Sequence, residues 1–146
     1  MLFRSMFFRC NSLTTAPALP ATIMTKGCYA DMFAQCNSLT TAPALPATTL
    51  AFGCYSNMFS GCKNLVKIPS LPATTLPDYS YSNMFYNCPK VKPATTQSED
   101  YPTPYRIPTT GTGTAQDTSM TDMFSSNTEY RINTTYYLPK GASIIS

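Results

Sequence analysis

Residues 28–49 read CYADMFAQCNSLTTAPALPATT, and residues 54–75 read CYSNMFSGCKNLVKIPSLPATT. The second stretch is the first moved on by 26 residues, and this agreement decides the architecture to be sought. Met-Phe recurs at Met6-Phe7, Met32-Phe33, Met58-Phe59 and Met84-Phe85. Cys10, Cys36, Cys62 and Cys88 keep the same step, as do Leu13, Leu39, Leu65 and Val91. Tyr29, Tyr55 and Tyr81 form a further series. Self-similarity at such a period is the signature of stacked repeats. Written once, the unit is CY-x-x-MF-x-x-C-x-x-L-x-x-x-P-x-LPAT-x-x.

One unit cannot stand alone. Ordering its residues costs on the order of 40 kcal/mol at about 1.5 kcal/mol each, and offsetting that needs roughly 1,600 Å2 of apolar burial at about 25 cal/mol per Å2. Stacked neighbours can approach this by covering both faces of every unit. The opening MLFRSMFFRC is apolar, but Met6-Phe7 and Cys10 fall in phase with later units. It reads as part of a repeat rather than as a targeting segment, which would carry a continuous apolar core and a small-residue cleavage site.

The spacing within the unit predicts a helical part and an extended part. Cys54, Met58 and Phe59 stand at i, i+4 and i+5 and would share a helix face. Gly61 and Asn87 follow where a left-handed helix end is favoured, and Thr48 or Thr49 could cap the start. SLTTAP is β-branched, short and closed by proline, so it reads as a strand of three or four residues. Such strands would return in parallel register about 4.8 Å apart. The expected fold is an α/β repeat solenoid of leucine-rich-repeat type, with short parallel strands and short helices at a 26-residue period. Residues 1–98 would form four tandem repeats. Residues 99–146 would form an insertion loop, a divergent last repeat around Met123-Phe124 and a C-terminal cap, since Met123 lies 39 residues after Met84.

On these motifs the chain resembles the BspA-like leucine-rich repeats of bacterial surface proteins and the related Met-Phe repeats of mycoplasma-type surface proteins. MFAQCNSL, MFSGCKNL, LPATTL and CYSNMF carry the resemblance, over about residues 1–98 and more weakly over 118–130. It implies a solenoid at the cell surface or secreted, with a role in adhesion to a host or to other cells. The usual unit of that family is shorter and carries Ala-Phe where Met-Phe stands here.

Composition bounds the chemistry. The chain has 146 residues, no histidine, a formal net charge of +3 and 12% charged residues. Lacking histidine, it has no Ser-His-Asp or Cys-His constellation. Its six cysteines never stand at CxxC spacing, so no zinc site is expected. The run Gly111-Thr112-Gly113-Thr114 lacks the Gly-Lys-Ser/Thr of a phosphate loop and reads as a flexible loop. Adjacent Glu99 and Asp100 read as a solvated loop. The charge is too weak and scattered for nucleic acid, and no stretch is apolar enough to span a membrane. The cysteines leave two readings open, reduced core residues or at least one disulfide. Cys10–Cys28 and Cys36–Cys54 share an 18-residue spacing, but the same rule would pair Cys62 with Ser80.

The function expected is non-catalytic recognition or adhesion, with no cofactor and no metal, toward a protein or glycan ligand on another cell or host. The alternatives are a structural spacer or display stalk, or a phage host-attachment component. If Leu13, Leu39, Leu65 and Val91 point inward, their successors point out. That gives one row of Thr14, Thr40, Val66 and Lys92, and a second of Thr15, Thr41, Lys67 and Pro93. A second candidate surface is the 99–117 loop with Tyr101, Tyr105 and Arg106, because long loops on rigid scaffolds often carry binding. Leu2, Phe3, Met6 and Phe7 would form an uncapped apolar end. Such an end invites self-association, or a preceding repeat in the parent protein.

Overall fold

Gly27, Asp31 and Gln35 decide the conformation of the CY-x-x-MF-x-x-C segment. All three have left-handed backbones, with φ of 61°, 57° and 60°. So do Gly53, Asn57 and Gly61 in the next unit, and Tyr79, Asn83 and Asn87 in the one after. A helix needs an unbroken right-handed run, and a left-handed residue at every fourth position breaks it each turn. The segment instead becomes a chain of linked turns. Cys28, Met32 and Cys36 each donate a backbone N–H to the carbonyl three residues back. The left-handed residue occupies the third position of each such turn, as a type II turn requires. The intervening N–H groups point out of the layer. Tyr29 donates to Cys54, Asp31 to Ser56, Phe33 to Met58 and Gln35 to Ser60, at 2.7–3.0 Å. Alternate donors are thus satisfied within one unit and by the next, so every N–H from Gly27 to Cys36 has a partner.

This overturns the α/β repeat solenoid of leucine-rich-repeat type. In the computed structural model, which describes residues 3–145, the chain is a small domain with no helix among the described residues. Its regular structure is six short strands in three two-stranded sheets: β1 (Lys67–Pro69) with β6 (Ser143–Ile145), β2 (Thr75–Leu76) with β4 (Thr114–Ala115), and β3 (Thr103–Arg106) with β5 (Thr135–Leu138). The first two pairs are parallel and the third is antiparallel. The apolar spacing read as one helix face arises equally from turns that advance four residues at a time. In the first two units the expected SLTTAP strand shrinks to single parallel bridges, Thr15 to Thr41 and Thr41 to Lys67.

Matching positions nevertheless stack. The rings of Phe7, Phe33, Phe59, Phe85 and Phe124 lie one over the next, with centroids 5.3–5.6 Å apart. Tyr29, Tyr55 and Tyr81 form a second column at 6.0–6.2 Å. Offset aromatic contacts of this kind add about 0.5–1.5 kcal/mol each beyond area burial. Cys36, Cys62 and Cys88 make a third column, each thiol donating to the carbonyl of the phenylalanine 29 residues earlier at 3.0–3.1 Å. Ser80 stands where Cys28 and Cys54 stand in earlier units, and its buried hydroxyl has no partner among the described residues.

The regular pattern ends after Cys88. Val91 is buried like Leu39 and Leu65, but Ala94 then exchanges backbone hydrogen bonds with Tyr137 in an antiparallel bridge. The place beside β1 goes to β6, which arrives from the C-terminal segment. Beside β2, a Cβ on Gly113 would overlap the carbonyl oxygen of Thr74, so only glycine allows Thr114 to donate to that oxygen at 2.8 Å. The end of the Gly-Thr run thus enters β4 at Thr114, while Gly111 and Thr112 stay exposed and outside any strand. The layer of Met123-Phe124 accepts the next set of bonds, from Tyr81, Asn83 and Phe85 to Ser119, Thr121 and Met123.

Candidate recognition surfaces

Parallel bridges align Thr15, Thr41, Lys67 and Ser143 across four layers. Thr15 and Lys67 are exposed and Thr41 is half-buried. Beside them lie Thr14 and Thr40, both exposed, and Val66, half-buried, whose N–H donates to the Thr40 carbonyl at 2.9 Å. Six of the eight residues expected on the strand face are therefore brought together, and Pro93 is not among them. Lys92 is not part of this ladder. It is exposed, but Pro93 and Ala94 lead the chain to Tyr137, and the place beside β1 goes to β6.

The 99–117 stretch is built differently from the loop expected there, because it contains β3 and β4. Tyr105 is buried, and its hydroxyl donates to the Pro69 carbonyl at 2.7 Å. Burial pushes that phenol well above its ordinary range. Arg106 is half-buried and donates to Pro108 O at 2.9 Å and to Asn133 Oδ1 at 3.0 Å. Tyr101 is half-buried beside Ser98. Two of these three side chains are thus committed to holding the segment in place.

All six cysteines are free, and all but Cys10 are buried. Burial pushes the thiols of Cys54 and Cys88 up to about 12, against some lowering by backbone hydrogen bonds. A thiol held protonated at neutral pH is a poor nucleophile, so these groups serve packing. Burial likewise raises Tyr55 and Tyr81, and both are at most 2% exposed. Their rings pack in the core between those of the neighbouring layers.

Three features escaped the reading of the sequence. An amide ladder runs along the corner after the cysteine column. Asn37 Nδ2 donates to Asn11 Oδ1 at 3.3 Å, Asn64 Nδ2 to Asn37 O at 2.8 Å, and Lys90 Nζ to Asn64 Oδ1 at 2.9 Å. Next to it a depression of about 300 Å3 opens between Lys63 and Lys92. On the turn wall, exposed Phe52 and Tyr79 meet edge to face at 5.4 Å, with the Lys26 ammonium 5.3 Å from the Phe52 ring. Only the ladder had a sequence signal, in Asn11 and Asn37 one period apart. At the N-terminal edge, Phe3, Met6, Phe7, Leu19, Tyr29 and Met32 line an apolar depression of about 570 Å3. Leu2, expected at this edge, lies outside the described residues.

Comparison with protein-family models, characterised proteins and solved structures finds no match to this chain. Among the described residues no helix is long and apolar enough to cross a membrane.

Proposed function

We propose that this chain is a non-catalytic recognition or adhesion module, displayed at a cell surface or secreted, that binds a protein or glycan through its strand face. The carrying observation is the aligned row of Thr15, Thr41 and Lys67, repeated in register above a buried core. Repeating outward hydroxyls and a lysine on a stiff base offer hydrogen bonds at fixed spacing, and little side-chain freedom is lost when threonine binds. The resemblance to BspA-like surface repeats supports the same reading, with a display stalk or a phage host-attachment part as its variants. Between the two candidate surfaces, the internal bonds of Tyr105 and Arg106 favour the strand face over the 99–117 stretch.

The test is binding to arrays of glycans and matrix proteins by the native chain and by Thr41→Arg with Lys67→Glu. Binding that falls at least tenfold while the fold is retained supports the strand face. Full binding by the double variant overturns it. A second reading, self-association, is favoured by the open apolar depression around Phe3, Met6 and Phe7, where Met6 is 57% exposed.

A further inference from the structure

Charge on this surface is segregated. No aspartate or glutamate occurs between Cys36 and Pro77, nor between Tyr79 and Ser98. Those segments contain Lys63, Lys67, Lys90 and Lys92. Two ion pairs occur among the described residues, Arg4–Asp31 and Glu129–Arg131, and neither involves these four lysines. Lys90 is held by Asn64 at 2.9 Å. Lys63 and Lys92 flank the depression of about 300 Å3, together with Asn87, Ser125, Ser126 and half-buried Tyr86. Ser125 and Ser126 of the fifth layer line the same notch as Asn87 and Lys92 of the fourth. Three residues separate Lys63 from Lys67, which places the notch near the edge of the strand face.

We infer that the notch between Lys63 and Lys92 is a binding site for an acidic sugar residue, its sulfate or carboxylate set between the two ammonium groups. Two lysines that pair with no carboxylate among the described residues favour an oxyanion. The Ser126 hydroxyl and the Asn87 amide suit the hydroxyls of a sugar ring, and the volume sits at the lower end of small-ligand sites, about 300–1,000 Å3. Nucleic acid fits less well. A strand-binding groove pairs a longer basic track with several stacking aromatics, whereas Tyr86 is the one partly open ring at this notch. The inference rests on the strand face being a recognition surface and names the ligand class for its basic end.

The experiment is calorimetric titration of the whole chain with a sulfated heparin-type tetrasaccharide, an oligogalacturonate and a neutral dextran oligosaccharide, each at two ionic strengths, with duplex DNA as a fourth probe. One or both acidic sugars should bind, more weakly at higher salt, and which of them binds distinguishes sulfate from carboxylate. Lys63→Gln with Lys92→Gln should weaken this binding at least tenfold, while Lys26→Gln on the turn wall leaves it unchanged. The inference is overturned if neither acidic sugar binds, if the double variant binds them as before, or if dextran or DNA binds as tightly. A chain that binds a neutral glycan or a protein through Thr41 and Lys67 but ignores both acidic sugars would overturn this inference and leave the strand-face reading standing.

Discussion

The aromatic column has two ends, and they are finished differently. At the far end, Phe124 meets Tyr105 edge-on at 6.4 Å and Tyr130 at 5.2 Å, and Tyr136 packs on Tyr130 at 5.5 Å. These phenols are anchored: Tyr105 to Pro69 O, Tyr130 to Ser125 Oγ, and Tyr136 to the Arg131 N–H. At the near end, Phe7 stacks on Phe33 on one side and borders the open depression on the other. The backbone differs too. The carbonyls of Ala30, Met32 and Ala34 accept bonds from the layer before, but those of Arg4, Met6 and Phe8, one period earlier, accept none among the described residues. A layer is therefore polar along the stacking direction, with acceptors on one face and donors on the other. The tyrosine cluster closes the donor face with rings that bring their own hydrogen bonds, while the acceptor face stays open and apolar.

The largest effect that separates the two ends is the cost of deleting a ring. Phe59 is fully buried between Phe33 and Phe85, so Phe59→Ala should cost about 3–5 kcal/mol in denaturant unfolding, the range for a buried phenylalanine. Phe7 is half-buried, with neighbours on one side. Phe7→Ala should cost about a third of that, because less apolar area returns to water. Equal losses at the two positions would erase the distinction between core and edge.

The thiol column gives the next contrast. Cys54 and Cys88 have folded values of about 12, against about 8.5 for an unfolded cysteine. A folded value raised in this way leaves stability intact below the unfolded value and removes it as pH rises toward the folded one. Above pH of about 8.5 the unfolded chain holds fewer protons than the native one, so stability should fall by about 1.4 kcal/mol per pH unit for each such thiol, levelling near pH 12. The alanine variants of both cysteines should have a shallower slope, the rest coming from Cys36 and Cys62, whose thiols burial also raises. Cys10 is partly exposed at the open edge and should be alkylated in the native state at pH 8, with the buried five reacting only on unfolding. A flat alkaline profile, or uniform labelling, would count against a sealed interior.

These contrasts show what a period can and cannot reveal. The columns were legible because identical residues recur at one step, and Phe33, Phe59 and Phe85 do stack. The path between them was not. Gly61 and Asn87 were read as helix ends because glycine and asparagine tolerate positive φ. They are left-handed, but so are Arg9, Gln35 and Tyr79, residues whose own preference lies elsewhere. At Arg9 and Gln35 the ladder to the next layer imposes that conformation, and a tertiary constraint leaves no local trace. At the surface, Thr15, Thr41 and Lys67 followed from inward leucines one or two positions earlier. Lys92 did not, because β6 reaches β1 from outside the period. Tyr105 looked like a loop aromatic in a polar stretch, and only its bond to Pro69 makes it interior.

The smallest effect on stability concerns association through the open edge. Two copies meeting by their near ends would set carbonyls of Arg4, Met6 and Phe8 against carbonyls, so the backbone ladder cannot continue across such a contact. What remains is apolar burial around Met6 and Phe7, without backbone bonds. Interfaces so limited in area belong to the weak class, below about 1,200 Å2. The native chain should therefore show a rise in sedimentation coefficient only at roughly 100 µM and above, where contacts of this class become populated. Met6→Lys places a charge on a residue that is 57% exposed. It should keep the chain monomeric over the same range and change unfolding stability by no more than about 0.5 kcal/mol, as surface substitutions do. A native chain whose sedimentation is independent of concentration would show that the ring faces at this edge are satisfied by water. Association that survives Met6→Lys would place the contact elsewhere, with exposed Phe52 and Tyr79 as the next surface to alter.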